Sequence, residues 1–501
     1  MKTEMIRYTI FLLSIVAGSF YINAQEIICN SNCRQAYKYM VSLQLKEADS
    51  ILAIEARSDT HHIFVPYLRN YNNFIRMFVS QDPQLYEEYA PARFDHFSEI
   101  EKLDESSPFK NWMLGNMHLQ WALSKVMFGD YLSAVIEFNK AYRLIDKNME
   151  EFPGFKPNEL SAGVLNIIIG LVPEQYNWLL NLLSMRGEIQ RGKEQLTYFL
   201  NLSEVNPEYA AFYEETLFFT GFVEMNIHPD TNKLAWIKEE ASAIHDSVLL
   251  ITFLRLNLLM RTGKNQDALV LFKEMEPFLN QAYPFHYLRY LNGECLQRAQ
   301  KWQSSYNEFD YFTAHFMDEN YIKDAWRKKA WAAFMLEDSA QYLKCMQEVK
   351  LRGDDRIDID KEALASAEND QYPNKNLLLS RILFDGGYYS EVLDVLYAID
   401  TSGYSDNDKL DYVYRTGRVY HEMNNFEKAK TYYGLALSLG KNSDSYYAAN
   451  ATLKLGELYE SEGNISLAKE AYSNCMNLDF KQYKNSILRR AAEGLNRVSD
   501  Q

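Results

Sequence analysis

Residues 417–436 read GRVYHEMNNFEKAKTYYGLA, and residues 456–475 read GELYESEGNISLAKEAYSNC. Small residues fall at matching places, Gly417 with Ala429 and Gly456 with Ala468, and the rings Tyr420 and Tyr433 recur as Tyr459 and Tyr472. This spacing describes a helix, a turn and a second helix folded back on the first, because glycine lets helix A press on helix B while the rings fill the seam. A single hairpin cannot bury its apolar face, so neighbours must stack on it. The expected fold class is therefore all-α, a solenoid of stacked antiparallel helix hairpins that leaves an open trough.

The offset between the two small positions serves as a ruler upstream. Ala122 with Ala134, Leu256 with Ala268, Gly293 with Ser305, Ala330 with Tyr342, and Ser380 with Val392 repeat it. Positions 256, 293, 330, 380, 417 and 456 are spaced 37, 37, 50, 37 and 39 residues apart. Ile189, Gly192, Leu196 and Phe199 read as a helix B behind Leu180 and Leu183, whereas about 204–247 gives only a degenerate match. The long 50-residue step holds the charged segment 352–360, which reads as an exposed loop or irregular link, and the apolar run 164–172 reads as a buried helix ended by Pro173. The organisation expected is a signal peptide at 1–24, a divergent helical region at 25–105, degenerate repeats at 106–400, and a repeat pair with a capping helix at 401–501.

The 501-residue chain is 47% hydrophobic and 24% charged, as expected of a folded protein, and its net charge of −16 disfavours nucleic acid as a partner. Lys2 and Arg7, the apolar stretch 10–17 and Asn23-Ala24-Gln25 have the layout of an export signal, with a retained anchor as the alternative. Export places the protein in the periplasm or at the cell envelope, with peripheral envelope association possible. Cys29 follows Ile27-Ile28 and lacks the setting for lipidation. Cys29 and Cys33 could close a small disulfide in an oxidising compartment or stay as thiols, and Cys475, standing where the preceding repeat has Ala436, reads as a small packing residue.

Residues of about 410–480 resemble the tetratricopeptide repeat (TPR) superfamily, and about 110–400 resemble degenerate members; the export signal is similar to those of exported Bacteroidota-type TPR proteins. The resemblance implies a concave groove lined by helix A, a protein or peptide partner, and no catalytic apparatus. By the repeat register Tyr287, Tyr290, Glu294, Gln297 and Arg298 share one groove-facing side, as do Asp411, Tyr414, Arg418 and His421. Tyrosine and arginine on a rigid wall make good binding anchors, although the same tyrosines could pack on the next repeat.

Motifs for phosphate loops, metalloprotease helices and nucleophile elbows are missing, so neither catalytic residues nor a cofactor are assigned. No metal site is assigned either. His61-His62 diverge on a helix, Asp95, His96 and Glu99 read as a salt-bridged surface, and the carboxylates at 354, 355, 358 and 360 lack calcium-hand spacing. The expectation is a non-enzymatic periplasmic scaffold. The alternative is a glycan-capturing envelope protein resembling TPR-containing glycan receptors, with Trp302, Trp326 and Trp331 stacking on sugars.

Overall fold

The computed structural model describes residues 30–58, 63–172, 177–227 and 229–499. The segment 1–24, Cys29, His61, His62 and Pro173 lie outside the described residues. Within them are 25 α-helices and no strand, and 22 of the helices form eleven successive antiparallel hairpins. Among the described residues no helix is long and apolar enough to cross a membrane.

The ruler holds at atomic detail. A Cβ on Gly417 would meet the Tyr433 ring at 2.8 Å, one on Gly456 the Tyr472 ring at 2.5 Å, and one on Gly293 the Phe309 ring at 2.9 Å. Ala134, Ala268, Ser305, Val392, Ala429 and Ala468, twelve residues on from their helix A partners, are all buried. Cys475 is buried as well, its thiol donating to the Ala449 carbonyl at 3.2 Å.

Seven residues after the helix A small position the backbone turns left-handed. Gly129, Gly263, Gln300, Glu337, Gly387, Asn424 and Gly463 follow Ala122, Leu256, Gly293, Ala330, Ser380, Gly417 and Gly456 at that distance. The next residue begins helix B, and where it is Asp130, Asp338, Asn425 or Asn464 its side chain accepts from a backbone N–H of the first turn. Ala36, Leu43 and Ala48 keep the same offsets, so the hairpin of Ser31–Val41 and Leu45–Ser58 obeys the rule inside the region read as divergent.

Three expectations are corrected. Ile189–Val205 does not pack behind Leu180 and Leu183; its partner is Asn158–Gly170, where a Cβ on Gly192 would come within 2.6 Å of the Gly163 carbonyl oxygen. Two facing glycines bring these backbones into contact, and the described residues of the connection between them include the short helix Asn177–Leu182. The segment 352–360 is not wholly an exposed loop: it runs into the extra helix Asp358–Glu368, with Asp360 fully buried. The Asp360 carboxylate accepts from the Tyr321 and Asp324 N–H groups at 2.7 and 2.9 Å, capping the start of Ile322–Met335.

The third correction concerns the trough, because segments far apart in the chain touch across it. The Tyr283 N–H donates to the Leu43 carbonyl at 2.7 Å. Gly263 and Gly387 meet so closely that a Cβ on Gly387, at φ +79, would lie 2.0 Å from the Gly263 oxygen, and beside them Asn265 Nδ2 donates to the Tyr388 hydroxyl at 3.1 Å. Tyr483, preceding the last helix Lys484–Ser499, donates to Glu362. Glu215, fully buried, accepts from the Tyr37 and Tyr71 hydroxyls and so fastens the N-terminal hairpins to Tyr213–Asn226. The solenoid is coiled tightly enough for its interior to be packed.

Two expectations test this closure. Gly387→Ala combines a strained φ with a backbone clash and should lower stability by about 2 kcal/mol or more. Gly434→Ala, on the open side of Phe426–Gly440 where a Cβ meets nothing within 4 Å, should raise it by about 0.5–1 kcal/mol. Equal effects in urea unfolding would contradict the close approach. Burial also pushes the Glu215 carboxyl up from 4.5 to about 8. Because the folded value exceeds the unfolded one, its contribution is complete below about pH 4.5 and is lost as pH rises through about 8. Stability should fall across that window and Glu215→Gln should flatten the fall; an equally steep decline in the variant would contradict it.

Candidate functional site

The helix Ile322–Met335, IKDAWRKKAWAAFM, buries Lys323, Asp324, Arg327, Lys328 and Lys329. Charged side chains are rarely buried without partners, and here each has one. Asp324, at 0% exposure, accepts from the Tyr290 hydroxyl, from Arg327 and, at 2.8 Å, from Lys328. Lys328 also donates to Glu294 and, at 2.7 Å, to the Tyr290 hydroxyl. Lys323 donates to the Val349 carbonyl at 2.9 Å, and Lys329 pairs with Asp310 and lies over the Trp326 ring. Burial alone would raise the Asp324 and Glu362 carboxyls, but Lys328 and Arg327 hold the first below its usual range, and Arg327 and Arg381 the second. Asp360 has no such cation against it at hydrogen-bond distance, and burial pushes it up to about 7.

The first set of expected groove residues converges on this network rather than on an open groove. Tyr287, Tyr290 and Gln297 are buried, Tyr287 stacked on Tyr290 and Gln297 donating to the Lys328 carbonyl at 2.8 Å. Glu294 and Arg298 are partly buried and line a cavity beside it. In the second set Asp411 and Tyr414 are buried, Asp411 against Arg415 at 2.7 Å and the Tyr414 hydroxyl accepting from Asn450 at 2.7 Å. Helix A of the next hairpin fills the space that the register alone assigned to solvent. Trp326 and Trp331, expected to stack on sugars, lie instead beneath the cations of Lys329 and of Arg327 and Arg381. Cys33 is buried, and the residue it would pair with is not among those described.

Arg418 and His421 remain partly open. Arg418 lies over the Phe384 ring and donates to the Tyr414 hydroxyl at 3.0 Å, while His421 Nδ1 sits 3.2 Å from the Tyr433 hydroxyl. Burial, then the charge of Lys454, holds the His421 imidazole below its usual value despite Glu422 and Glu457 nearby. Glu457 joins this face through Lys454 at 2.8 Å and through Arg490, and Glu460 through Arg497 at 2.9 Å. Together they form a strip of alternating charge along helix A of the last two hairpins and the capping helix. Lys454, Glu457 and Arg490 were not among the expected residues. Adding the 39-residue step from Gly417 to Gly456 carries Arg415 and Arg418 onto Lys454 and Glu457, so the signal was available for two of them.

Residues 410–442 and 449–482, the hairpins that carry this strip, match the family model of the tetratricopeptide repeat. The chain contains a tandem TPR pair. No curated protein matches it. Among solved structures it is similar to yeast Tom70, at TM-score 0.29 and 11% identity over 93% of this chain and 95% of that one. It is also similar to the APC/C hetero-tetramer Cut9-Hcn1, at 0.24 and 11% over 91% and 95%, and to the apo form of RapI, at 0.21 and 10% over 94% and 98%. Scores of this size carry no argument, and the solenoid rests on the chain's own helices and on the TPR match. Among the described residues no group of three or more His, Cys, Asp or Glu is placed to hold a metal ion.

Proposed function

We propose that the protein is an exported, non-enzymatic scaffold of the periplasm or cell envelope that docks a partner protein or peptide on its TPR pair. One observation carries the reading: along the inner wall, Arg418 of the TPR pair stays partly open beside Lys454, Glu457 and Arg490, whereas Tyr287, Tyr290 and Gln297 in the middle of the coil are buried against the chain itself. Arg418, His421, Lys454, Glu457 and Arg490 present both signs on rigid helices, which fits a partner segment of mixed charge. Arg418 is the anchor, its guanidinium lying over Phe384 and donating to the Tyr414 hydroxyl. The export signal read at the N-terminus supports the envelope setting.

Pull-down from envelope extract with the tagged mature chain should recover a stoichiometric protein. The double variant Arg418→Glu with Lys454→Glu should weaken that association by at least about tenfold, roughly 1.4 kcal/mol. Recovery of no stoichiometric protein, or equal recovery with the variant, would contradict the proposal.

A further inference from the structure

The cavity beside the buried network has a volume of about 400 Å³ and is walled by Arg298, Arg327, Trp331, Glu362, Arg381 and Tyr483 among others. Its walls come from four separated parts of the chain: Tyr287–Arg298, Ile322–Met335, the pair Asp358–Glu368 and Lys375–Asp385, and the residue before the last helix. The site therefore exists only in the coiled form. Its size lies near the lower end for small-molecule sites and is too small for a folded partner.

The cations in its wall are not equally occupied. Lys328 donates to Tyr290 and Glu294 and pairs with Asp324, and Arg327 is divided between Asp324 and Glu362. Glu362 in turn receives Arg327 at 3.1 Å, Arg381 at 2.8 Å and the Tyr483 hydroxyl. Arg298 differs. Its side chain is only 16% exposed and its one ion pair among the described residues, to Glu294, is long at 3.9 Å; its Nη1 is buried without a hydrogen-bond partner, as is that of Arg327, which however stands 3.1 Å from Glu362. A guanidinium offers five donors in a planar fork suited to carboxylate or phosphate, and leaving them unmet in a buried place is costly. The Arg298 Cβ approaches the chain at Gly386, where an added Cβ would lie 3.0 Å from it, so backbone packs closely against the base of this side chain. Beyond the charges, Trp331, Ile359 and Ile382 give the cavity an apolar side.

We propose that this cavity binds a small organic anion, a carboxylate or phosphate monoester with a compact apolar body. The anionic head pairs with Arg298, helped by Arg381, and the body lies against Trp331, Ile359 and Ile382. Asp358 and Asp385, also in the wall, disfavour polyanions and set a preference for one charged head. The site is separate from the docking strip, and its occupancy ties the C-terminal end to the middle of the coil.

The test is calorimetry and thermal unfolding of the full mature chain with benzoate, phenyl phosphate, inorganic phosphate and neutral benzyl alcohol. At least one aromatic anion should bind below about 1 mM and raise the unfolding temperature, while benzyl alcohol should not. Benzoate alone would identify carboxylate chemistry, phenyl phosphate alone phosphate chemistry, and both the shared anionic head. Arg298→Gln should weaken binding by at least about tenfold. Ile359→Trp, which fills the cavity and leaves every charge in place, should abolish it, and so keeps the test valid if the arginine variant does not fold. Absence of binding by both aromatic anions, binding of inorganic phosphate only, or aromatic-anion binding indifferent to both substitutions would overturn the proposal.

Discussion

The carboxylate of Asp324 is the point on which the middle of this molecule depends. It lies at 0% exposure, and Tyr290, Arg327 and Lys328 all bond to it, from its own helix and from the preceding hairpin. A buried carboxylate is tolerated only while its cations are present, and the cations only while it is. The consequence is specificity of packing. Helix Ile322–Met335 is wrapped by neighbours on every side and still carries five charged residues, so the hairpin before it must sit in the one register that pairs them.

That constraint decides where the protein can meet other molecules. A solenoid offers its inner wall by default, yet here Tyr287, Tyr290 and Gln297 are spent on the chain itself, and glycines at 263 and 387 bring distant turns into backbone contact. What stays accessible is the wall of the TPR pair near the C-terminus and, in the centre, a small cavity in which Arg298 has the longest ion pair of the wall's cations. Scaffold and pocket are thus two outcomes of the same coiling.

Much of the fold was legible because it follows from local spacing. A buried helix A position, a left-handed turn seven residues later and a buried helix B position twelve later recur at Ala122, Leu256, Gly293, Ala330, Ser380, Gly417 and Gly456, and each step is set by helix geometry and turn chemistry. The pairing of Ile189–Val205 was misread because its contact with Asn158–Gly170 relies on Gly163 facing Gly192, a match across a long connection that no fixed offset reveals. The site was half legible. Register told which side chains point inward, as Glu294 and Arg418 each stand one residue after the small position. It could not tell that Glu294 is drawn into the buried network while Arg418 stays partly open, since closure depends on contacts such as Tyr483 with Glu362, 121 residues apart.

The most direct test of the buried network is urea unfolding of Asp324→Asn beside Asp479→Asn, whose carboxylate pairs with Lys484 at 2.8 Å on the open surface. Leaving Lys328 and Arg327 buried against a neutral amide should cost about 3–5 kcal/mol, and the exposed change far less. Comparable small losses in the two variants would contradict the claim that the buried charge pairing around Asp324 fixes the packing of the middle hairpins.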